Sequence, residues 1–569
     1  MRYRIVYEDE PFPLKCGVHT DKTVIVKYLD EDSKIIDEKR YGYLEKQDII
    51  NIKNTDSSFI LQELFLEDFN IHEYRSLFEW EDYRTISSFH IEKCFFQGDL
   101  ILDNMVFGEG GFSLAHCSFG NGKIDFHKTV FLSETVNFSG IKMGTGEKIF
   151  SSTKFHGKIV HFFSTDFGNG DVNFKCSNFE NAHLNFSGAI FGEGIVEFDF
   201  TVFGVGGVDF SGSDFGKGGV SFRNTNFHNG EVIFFGSSFS DGKISFSDTS
   251  FGNGNIDFSF CQLKNCTMHF KYAKTGLGKF NMNNIKMEEG YILFKSVRFR
   301  NRSIYFLDSV ISNLNFLNCL FVEHVVMGLE KCDKLTVENC IVEKTFDMIP
   351  TNKKEKNVGC INFINTKNLG HIYLDWIMND VKTMIYAQGD DTSYIDKANQ
   401  FRMLKENFHE IGQYNDEDYA YLEFRRCLSL SEYYGEDITY HKKNNIKLLR
   451  RKIEFLIKWF FLDFIGHYAT NPFRILGTMI MTIGGFAFFY TLPFVILNGD
   501  KKYIDKELFP YASKLINALY HSLATMFTIG YGDINPGNIQ AMIISGVQGF
   551  AGVFLMSYFT VAFVRKILR

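Results

Sequence analysis

Phe167-Gly-Asn-Gly-Asp-Val-Asn-Phe174-Lys-Cys-Ser-Asn-Phe179-Glu-Asn-Ala-His-Leu-Asn-Phe186-Ser-Gly-Ala-Ile-Phe191 places phenylalanine at steps of seven, five, seven and five. The alternation continues unbroken through Phe198, Phe203, Phe210, Phe215, Phe222, Phe227, Phe234, Phe239, Phe246, Phe251 and Phe258. It reaches back to Phe107 and, with slippage near 275–282, forward to Phe306. A fixed period of twelve residues over so long a stretch marks a solenoid.

The residues two before each Phe fall into two sets. One is branched and aliphatic: Val172, Leu184, Val196, Val208, Val220, Val232, Ile244, Ile256. The other is small: Thr165, Ser177, Ala189, Thr201, Ser213, Thr225, Ser237, Thr249. Residues two apart on a strand share a face, so each Phe and its predecessor point inwards together. A step of five or seven would flip a continuous strand, so a corner such as Phe215-Gly-Lys-Gly-Gly must intervene. Four faces would give a coil of about 24 residues and a rod of about 40 Å at roughly 4.8 Å per coil. A twelve-residue coil would double the rod, and the residues leave both open. The aromatic ladder reads as core, because base-stacking platforms need a basic groove and the flanks here mix Asp, Lys, Ser and Gly. The Gly-x-Gly turns lack the following helix of a phosphate loop.

Small or apolar at i−2, Phe at i, and a step of five resembles the pentapeptide-repeat family, most closely in Ser213-Asp214-Phe215 and Ser177-Asn178-Phe179. The resemblance covers about 105–320. It implies an all-β, right-handed solenoid and no chemistry. Every second unit carries two residues more than the family pattern.

Composition narrows the remaining classes. With 64 Phe, 49 Gly and only seven Pro, the chain is built for repeated tight turns with few proline breaks. A net charge of −8 argues against a nucleic-acid partner. Eleven Cys without a CxxC pair or a His-Cys cluster argue against zinc, and read as reduced, small core residues. No nucleophile-base pair, metal cluster or cofactor fingerprint stands out, so neither an enzyme nor a cofactor is expected. The opening MRYRIVYEDEPF carries no apolar run, so no signal peptide is expected and the N-terminal part reads as cytosolic.

Residues 1–95 do not repeat. Arg4-Ile5-Val6-Tyr7 and Thr23-Val24-Ile25-Val26 alternate as short strands that cap the open end of a solenoid over 96–325. Degenerate repeats follow over 326–392. A helical hairpin is expected over 393–435, with Phe401, Leu404, Phe408 and Ile411 on one face ended by Gly412. Asn415 or Asp416 would cap its second helix, carrying Ala420, Phe424 and Leu428. Over 441–470, Ile446, Leu449, Ile453, Leu456, Phe460 and Phe464 oppose Lys447, Arg450, Arg451 and Lys458, with Lys442, Lys443 and Lys452 nearby. This basic amphipathic helix suits a headgroup layer, or packs on the soluble part.

Residues 471–569 are different. Ile475–Leu497 and Ile534–Val564 carry no charge and are each long enough to span a bilayer as helices. Arg450, Arg451, Lys452, Lys458 and Arg474 precede the first span, and Arg565, Lys566 and Arg569 follow the second, so both ends read as cytoplasmic. Lys501, Lys502, Lys506 and Lys514 in the intervening loop run against that reading, partly offset by Asp500, Asp505 and Glu507. Neither span has regularly spaced Arg or Lys, so no voltage sensor is expected. Ser513–Phe527 is a helix too short to cross, followed by Thr528-Ile529-Gly530-Tyr531-Gly532-Asp533.

That segment, read from Thr525, meets Thr-x-x-Thr-x-Gly-Tyr-Gly, and residues 470–569 resemble the pore domain of potassium channels. The resemblance implies a selectivity filter of Thr528, Ile529, Gly530, Tyr531, Gly532 and Asp533, entered from a pore helix that carries Thr525. Backbone carbonyls would replace the water shell of K+, the permeant ion. One loop per chain implies a homotetramer in a lipid bilayer. Gly552 aligns with the glycine at which inner helices of such channels bend; close helix packing explains it equally well. Gly466-His-Tyr-Ala-Thr-Asn-Pro-Phe-Arg474 resembles a bacterial channel type that combines such repeats with this pore, which implies a prokaryotic plasma membrane. The chain ends five residues after Val564, so gating signals are expected from the N-terminal side, with the solenoid a regulatory or docking module for a cytosolic protein or ligand. The alternative is a membrane-anchored interaction scaffold whose pore does not conduct.

Overall fold

The computed structural model describes residues 2–14, 19–30, 32–51, 58–75, 85–349, 357–435, 445–499 and 510–568. The chain forms two compact units, Met1–Gly389 and Asp390–Arg569.

The first unit is an all-β parallel solenoid behind an antiparallel cap. Strands Arg2–Glu8, Lys22–Leu29 and Ile35–Tyr43 pair antiparallel, with Ile5 opposite Val26. Gly42 and Tyr43 then pair parallel with Leu64 and Phe65, so the cap continues one face of the solenoid and covers its end. The longer, four-faced coil is the one that forms: Val172 pairs with Val196, Val196 with Val220, and Val220 with Ile244. Residues 172, 178, 184 and 190 stand on four successive faces before 196 returns to the first. A twelve-residue coil would have paired Val172 with Leu184, and it does not. Four Phe per coil fill the interior, and rings at the same place in successive coils stack: Phe162 on Phe186 at 4.6 Å, Phe198 on Phe222 at 4.9 Å.

The corners explain the twelve-residue rhythm. A left-handed residue recurs every twelve positions, for example Cys176, Gly188, Phe200, Gly212, Asn224, Gly236, Asp248 and Phe260. The small set before the second Phe has a chemical reason besides size. Thr165 Oγ1 donates to the Phe138 carbonyl at 2.6 Å, Thr201 to Phe174 at 2.8 Å and Ser213 to Phe186 at 2.7 Å. Each hydroxyl thus satisfies a buried carbonyl of the preceding coil. Cys261 takes the same place, donating to the Phe234 carbonyl.

One face is a fourteen-stranded sheet from Ser58–Gln62 to His371–Tyr373. The sheet reaches beyond 96–325 at both ends, through the degenerate repeats on one side, and fourteen strands at about 4.8 Å give a rod of about 60 Å. A changed period makes its far end read as degenerate. Phe280 occupies an aliphatic position opposite Ile256, and the later coils are shorter, pairing Phe316 with Val337 and Val325 with Phe346.

The second unit is helical. Helices α1 (Tyr394–Glu410) and α2 (Tyr414–Tyr434) form a hairpin, and they belong to the same unit as the apolar helices. Phe401, Leu404 and Phe408 are fully buried, and Gly412 turns the chain at φ +78°. Gln413, without a side-chain cap, starts α2, so Asn415 and Asp416 lie in its first turn and do not cap it. Helix α3 (Asn445–Lys458) continues into a π-helical turn, Trp459–Phe464. Its Leu449, Ile453 and Leu456 are exposed, as are Phe460 and Phe464. Lys442 and Lys443 lie outside the described residues, as do the side chains of Ile446 and Lys447.

Helices α4 (Pro472–Tyr490), α5 (Pro510–Met526) and α6 (Ile539–Ile567) follow. Both α4 and α6 are long and apolar enough to cross a membrane. The first helix does not reach Leu497 as the uncharged run suggests. It stops at Tyr490 because Pro493 disfavours helix in the residues before it. Leu497–Asn498 instead pairs antiparallel with Asn535–Pro536. Asn471 and Asn538 cap α4 and α6 through bonds from Arg474 N–H and Ala541 N–H. Of the charged loop, Lys501, Lys502, Lys506, Asp500, Asp505 and Glu507 lie outside the described residues; Lys514 donates to the Thr491 carbonyl.

Candidate functional site

The loop 528–533 joins the C-terminus of α5 to the short strand that leads into α6. Its backbone alternates in hand: Thr528 has φ +55°, Gly530 +66° and Gly532 +79°, while Ile529 and Tyr531 between them are not left-handed. Alternation of left- and right-handed residues turns successive carbonyls towards one side, which a regular helix or strand cannot do. Thr525 takes part at the entry. Its carbonyl accepts from Thr528 N–H at 3.2 Å, and the Ala524 carbonyl accepts from Ile529 N–H at 2.9 Å. At the other end Tyr520 Oη donates to Asp533 Oδ2 at 2.8 Å, a contact that links the far side of the loop back to α5. The spacing alone did not announce Tyr520.

Within one chain the loop is bare. Ile529 and Tyr531 are 49 % and 70 % exposed, and a Cβ built on Gly530 or Gly532 meets no other atom within 4 Å. Exposed non-helical backbone of this kind is tolerated at membrane depth only where it lines a cavity or meets further protein.

A buried polar network lies behind the loop. Gln548 and Ser522 are fully buried and His521 is 5 % exposed. Gln548 Nε2 donates to the Ser522 carbonyl at 2.9 Å and to Ser522 Oγ at 2.6 Å, and its Oε1 accepts from Tyr490 Oη at 2.8 Å. Ser522 Oγ donates to the Ile483 carbonyl at 2.8 Å. His521 Nε2 lies 3.0 Å from Ser545 Oγ, and its Nδ1 lies 3.3 Å from the Ile534 carbonyl. Polar side chains inside otherwise apolar helices were the available signal for these residues.

Gly552 of α6 faces the end of α5. A Cβ there would stand 2.2 Å from the Met526 carbonyl oxygen, so this glycine makes a close helix contact; Gly546 and Gly549 make none within 4 Å. Helix α6 runs unbroken through it.

Residues 477–569 match the ion channel family. No curated protein matches the chain. The ion channel region coincides with α4, α5, the alternating loop and α6, and families of this kind assemble as oligomers in a membrane. The chain thus joins a β-solenoid to an ion channel domain.

The ion channel helices are tied to the hairpin at one junction. Asp418 of α2, 8 % exposed, accepts from Lys566 Nζ at 2.9 Å and meets Arg565 Nη2 at 3.2 Å, both at the C-terminal end of α6. The Arg565 guanidinium lies over the Tyr421 ring at 4.2 Å. Arg426 forks onto Asp463, just before α4, at 2.9 and 2.8 Å. Between them, His467, Tyr468 and Ala469 are consecutive left-handed residues, at φ +47°, +54° and +62°. For residues with a Cβ this costs about 1–2 kcal/mol each. The turn is held by Tyr558 of α6, whose hydroxyl accepts from Ala469 N–H at 3.0 Å and donates to the Leu462 carbonyl at 2.9 Å.

Proposed function

We propose that the chain is one subunit of a tetrameric, potassium-selective channel in a plasma membrane. The observation that carries this reading is the alternation of left-handed residues at Thr528, Gly530 and Gly532, with open space around both glycines within the chain. Four copies around an axis would convert that bare edge into rings of oxygens, giving K+ a replacement for its water shell. Thr528 adds a hydroxyl ring at one end and Asp533 a carboxylate ring at the other, where it draws cations to the mouth. Tyr531 braces the loop from outside.

In this reading α5 is the pore helix, α4 the outer helix and α6 the inner helix, with both chain ends on the cytoplasmic side. Gly552 serves as the inner-helix hinge. Helix α3 lies in the headgroup layer, its exposed Leu449, Ile453 and Leu456 towards lipid. The N-terminal solenoid is a regulatory or docking module. Asp418, Tyr421 and Arg426 support a route by which the hairpin acts on the pore, because they grip the inner helix and the lead-in to the outer helix together. The scaffold reading gains nothing from the loop, whose backbone keeps left-handed geometry at all three alternate positions.

Reconstitution of the purified chain in liposomes tests the reading. K+ uptake well above Na+ uptake, from an assembly with the mass of four chains, is the expected result. A monomer, or equal uptake of both ions, would overturn it.

A further inference from the structure

A filter discriminates between ions only if its carbonyls are held at a fixed distance from the axis, and that demands a pore helix that cannot slide or roll. Among the described residues, both ends of the loop depend on α5. The Ala524 and Thr525 carbonyls hold residues 528 and 529, while Tyr520 and His521 hold Asp533 and Ile534. Any displacement of α5 is passed to both ends at once.

Most of what seats α5 is apolar and therefore non-directional. Directional contacts include His521 with Ser545 of α6 and Lys514 with the Thr491 carbonyl, and among the described residues the buried amide of Gln548 reaches α5 and α4 from α6 at once. Both of its N–H groups are used on Ser522 of α5, and its oxygen accepts from Tyr490 of α4. Ser522 in turn donates to the Ile483 carbonyl of α4. Three helices are thus joined through one fully buried side chain whose two donors are both matched. A satisfied buried polar group fixes register in a way that methyl groups cannot, since every slid arrangement leaves it unpaired.

We infer that Gln548 is a positioning residue for the filter: with Tyr490 and Ser522 it locks the pore helix in register and so sets the discrimination of K+ from Na+. The inference rests on the potassium-channel reading. No part of Gln548 touches the ion path; it acts through α5.

Gln548→Met keeps the unbranched stem and near volume but removes the amide. Tyr490 Oη retains Ser545 Oγ at 3.1 Å, and Ser522 Oγ retains the Ile483 carbonyl, so the seat loosens without leaving a charge unpaired. The variant is expected to assemble and to conduct, with its K+/Na+ permeability ratio lowered about tenfold, the scale of one buried hydrogen-bonded group. Tyr490→Phe, which removes one hydroxyl only, is expected to lower the ratio by about threefold. Gln548→Met combined with Ser522→Ala should be little worse than Gln548→Met alone, because the two act as one unit. A merely structural role would lower thermal stability and leave the ratio untouched. An unchanged ratio in Gln548→Met overturns the inference. Should that variant not assemble, an unchanged ratio in both Tyr490→Phe and Ser522→Ala does so. Wild-type protein that passes both ions equally would sink the channel reading instead, which keeps the two failures apart.

Discussion

Gly532→Ala isolates the conformational part of the proposed filter. Gly532 sits at φ +79°, and a Cβ there meets nothing within 4 Å in its own chain. The substitution therefore adds no clash inside the subunit; it adds only the penalty of holding a residue with a Cβ in the left-handed region, about 1–2 kcal/mol. In a ring of four the loops must adopt the conducting arrangement together, so the penalties add to about 4–8 kcal/mol, which corresponds to roughly a thousandfold to a millionfold fewer conducting rings. Each copy on its own accounts for a factor of about 5–30. Subunits linked in tandem, carrying zero, one, two or four copies of Gly532→Ala, would be compared for K+ flux in liposomes at equal protein. The expected result is a stepwise fall by that factor per copy, with assembly and thermal stability unchanged throughout. Full loss on the first copy would point to a clash or misfolding rather than backbone preference. Undiminished flux with four copies would remove residue 532 from the ion path altogether.

Three other outcomes follow from packing and charge. Asp418→Asn leaves Arg565 and Lys566 without their carboxylate; since these partners are 22 % and 40 % exposed, the loss is about 1–2 kcal/mol, between the surface and buried limits. Amide exchange over α2 should quicken about 5–30-fold and open probability should shift while the ion ratio stays put; unchanged exchange would show that the junction does not hold the hairpin. Phe198→Ala removes a ring stacked at 4.9 Å on both Phe174 and Phe222, costing about 3–5 kcal/mol, and exchange should rise in neighbouring coils but not in the last ones; a uniform rise would contradict nearest-neighbour stability. Lys148 is 1 % exposed at a ladder position held by Ile124 and Val172 in adjacent coils, and burial pushes its pKa down to about 8 against the opposing pull of Asp166 and Asp171. Its folded pKa lies below the unfolded value of 10.5, so the unfolded chain binds the proton more tightly between the two. Stability should then rise from pH about 8 to 10.5, and Lys148→Met should flatten that rise; a slope that survives the substitution assigns it elsewhere.

Much of this is legible in the residues alone, and the limits are physical. The Phe spacing exposes a solenoid because identical coils need identical side chains at identical places. It leaves coil length open because both sets of predecessors recur every twelve residues, and only pairing, Val172 with Val196, separates half a coil from a whole one. The small residues read as small, whereas their hydroxyls cap carbonyls 27 residues back, a distance set by the coil and invisible to a local window. The last coils read only as degenerate repeats because a shortened coil breaks a period without breaking a sheet. The proposed filter loop is legible because its residues are contiguous. Gln548, Tyr490 and Ser522 are not, being 26 to 58 residues apart and brought together only by helix packing.

The two explanations of Gly552, hinge and packing, are less separate than the sequence makes them. The glycine abuts the Met526 carbonyl, and Met526 is the last residue of α5, two positions before Thr528. An inner helix that bent at Gly552 would have to change its contact with the residue that leads into the filter. The same helix is held further along by Tyr558 at the left-handed turn and, at Arg565 and Lys566, by Asp418. Bending between those anchors moves one end of a rod whose other end is fixed to the hairpin. A force on the hairpin would then reach both a bend at Gly552 and the proposed filter through one continuous helix. Close packing at Gly552 is therefore the means by which a hinge there would be felt where the ions pass.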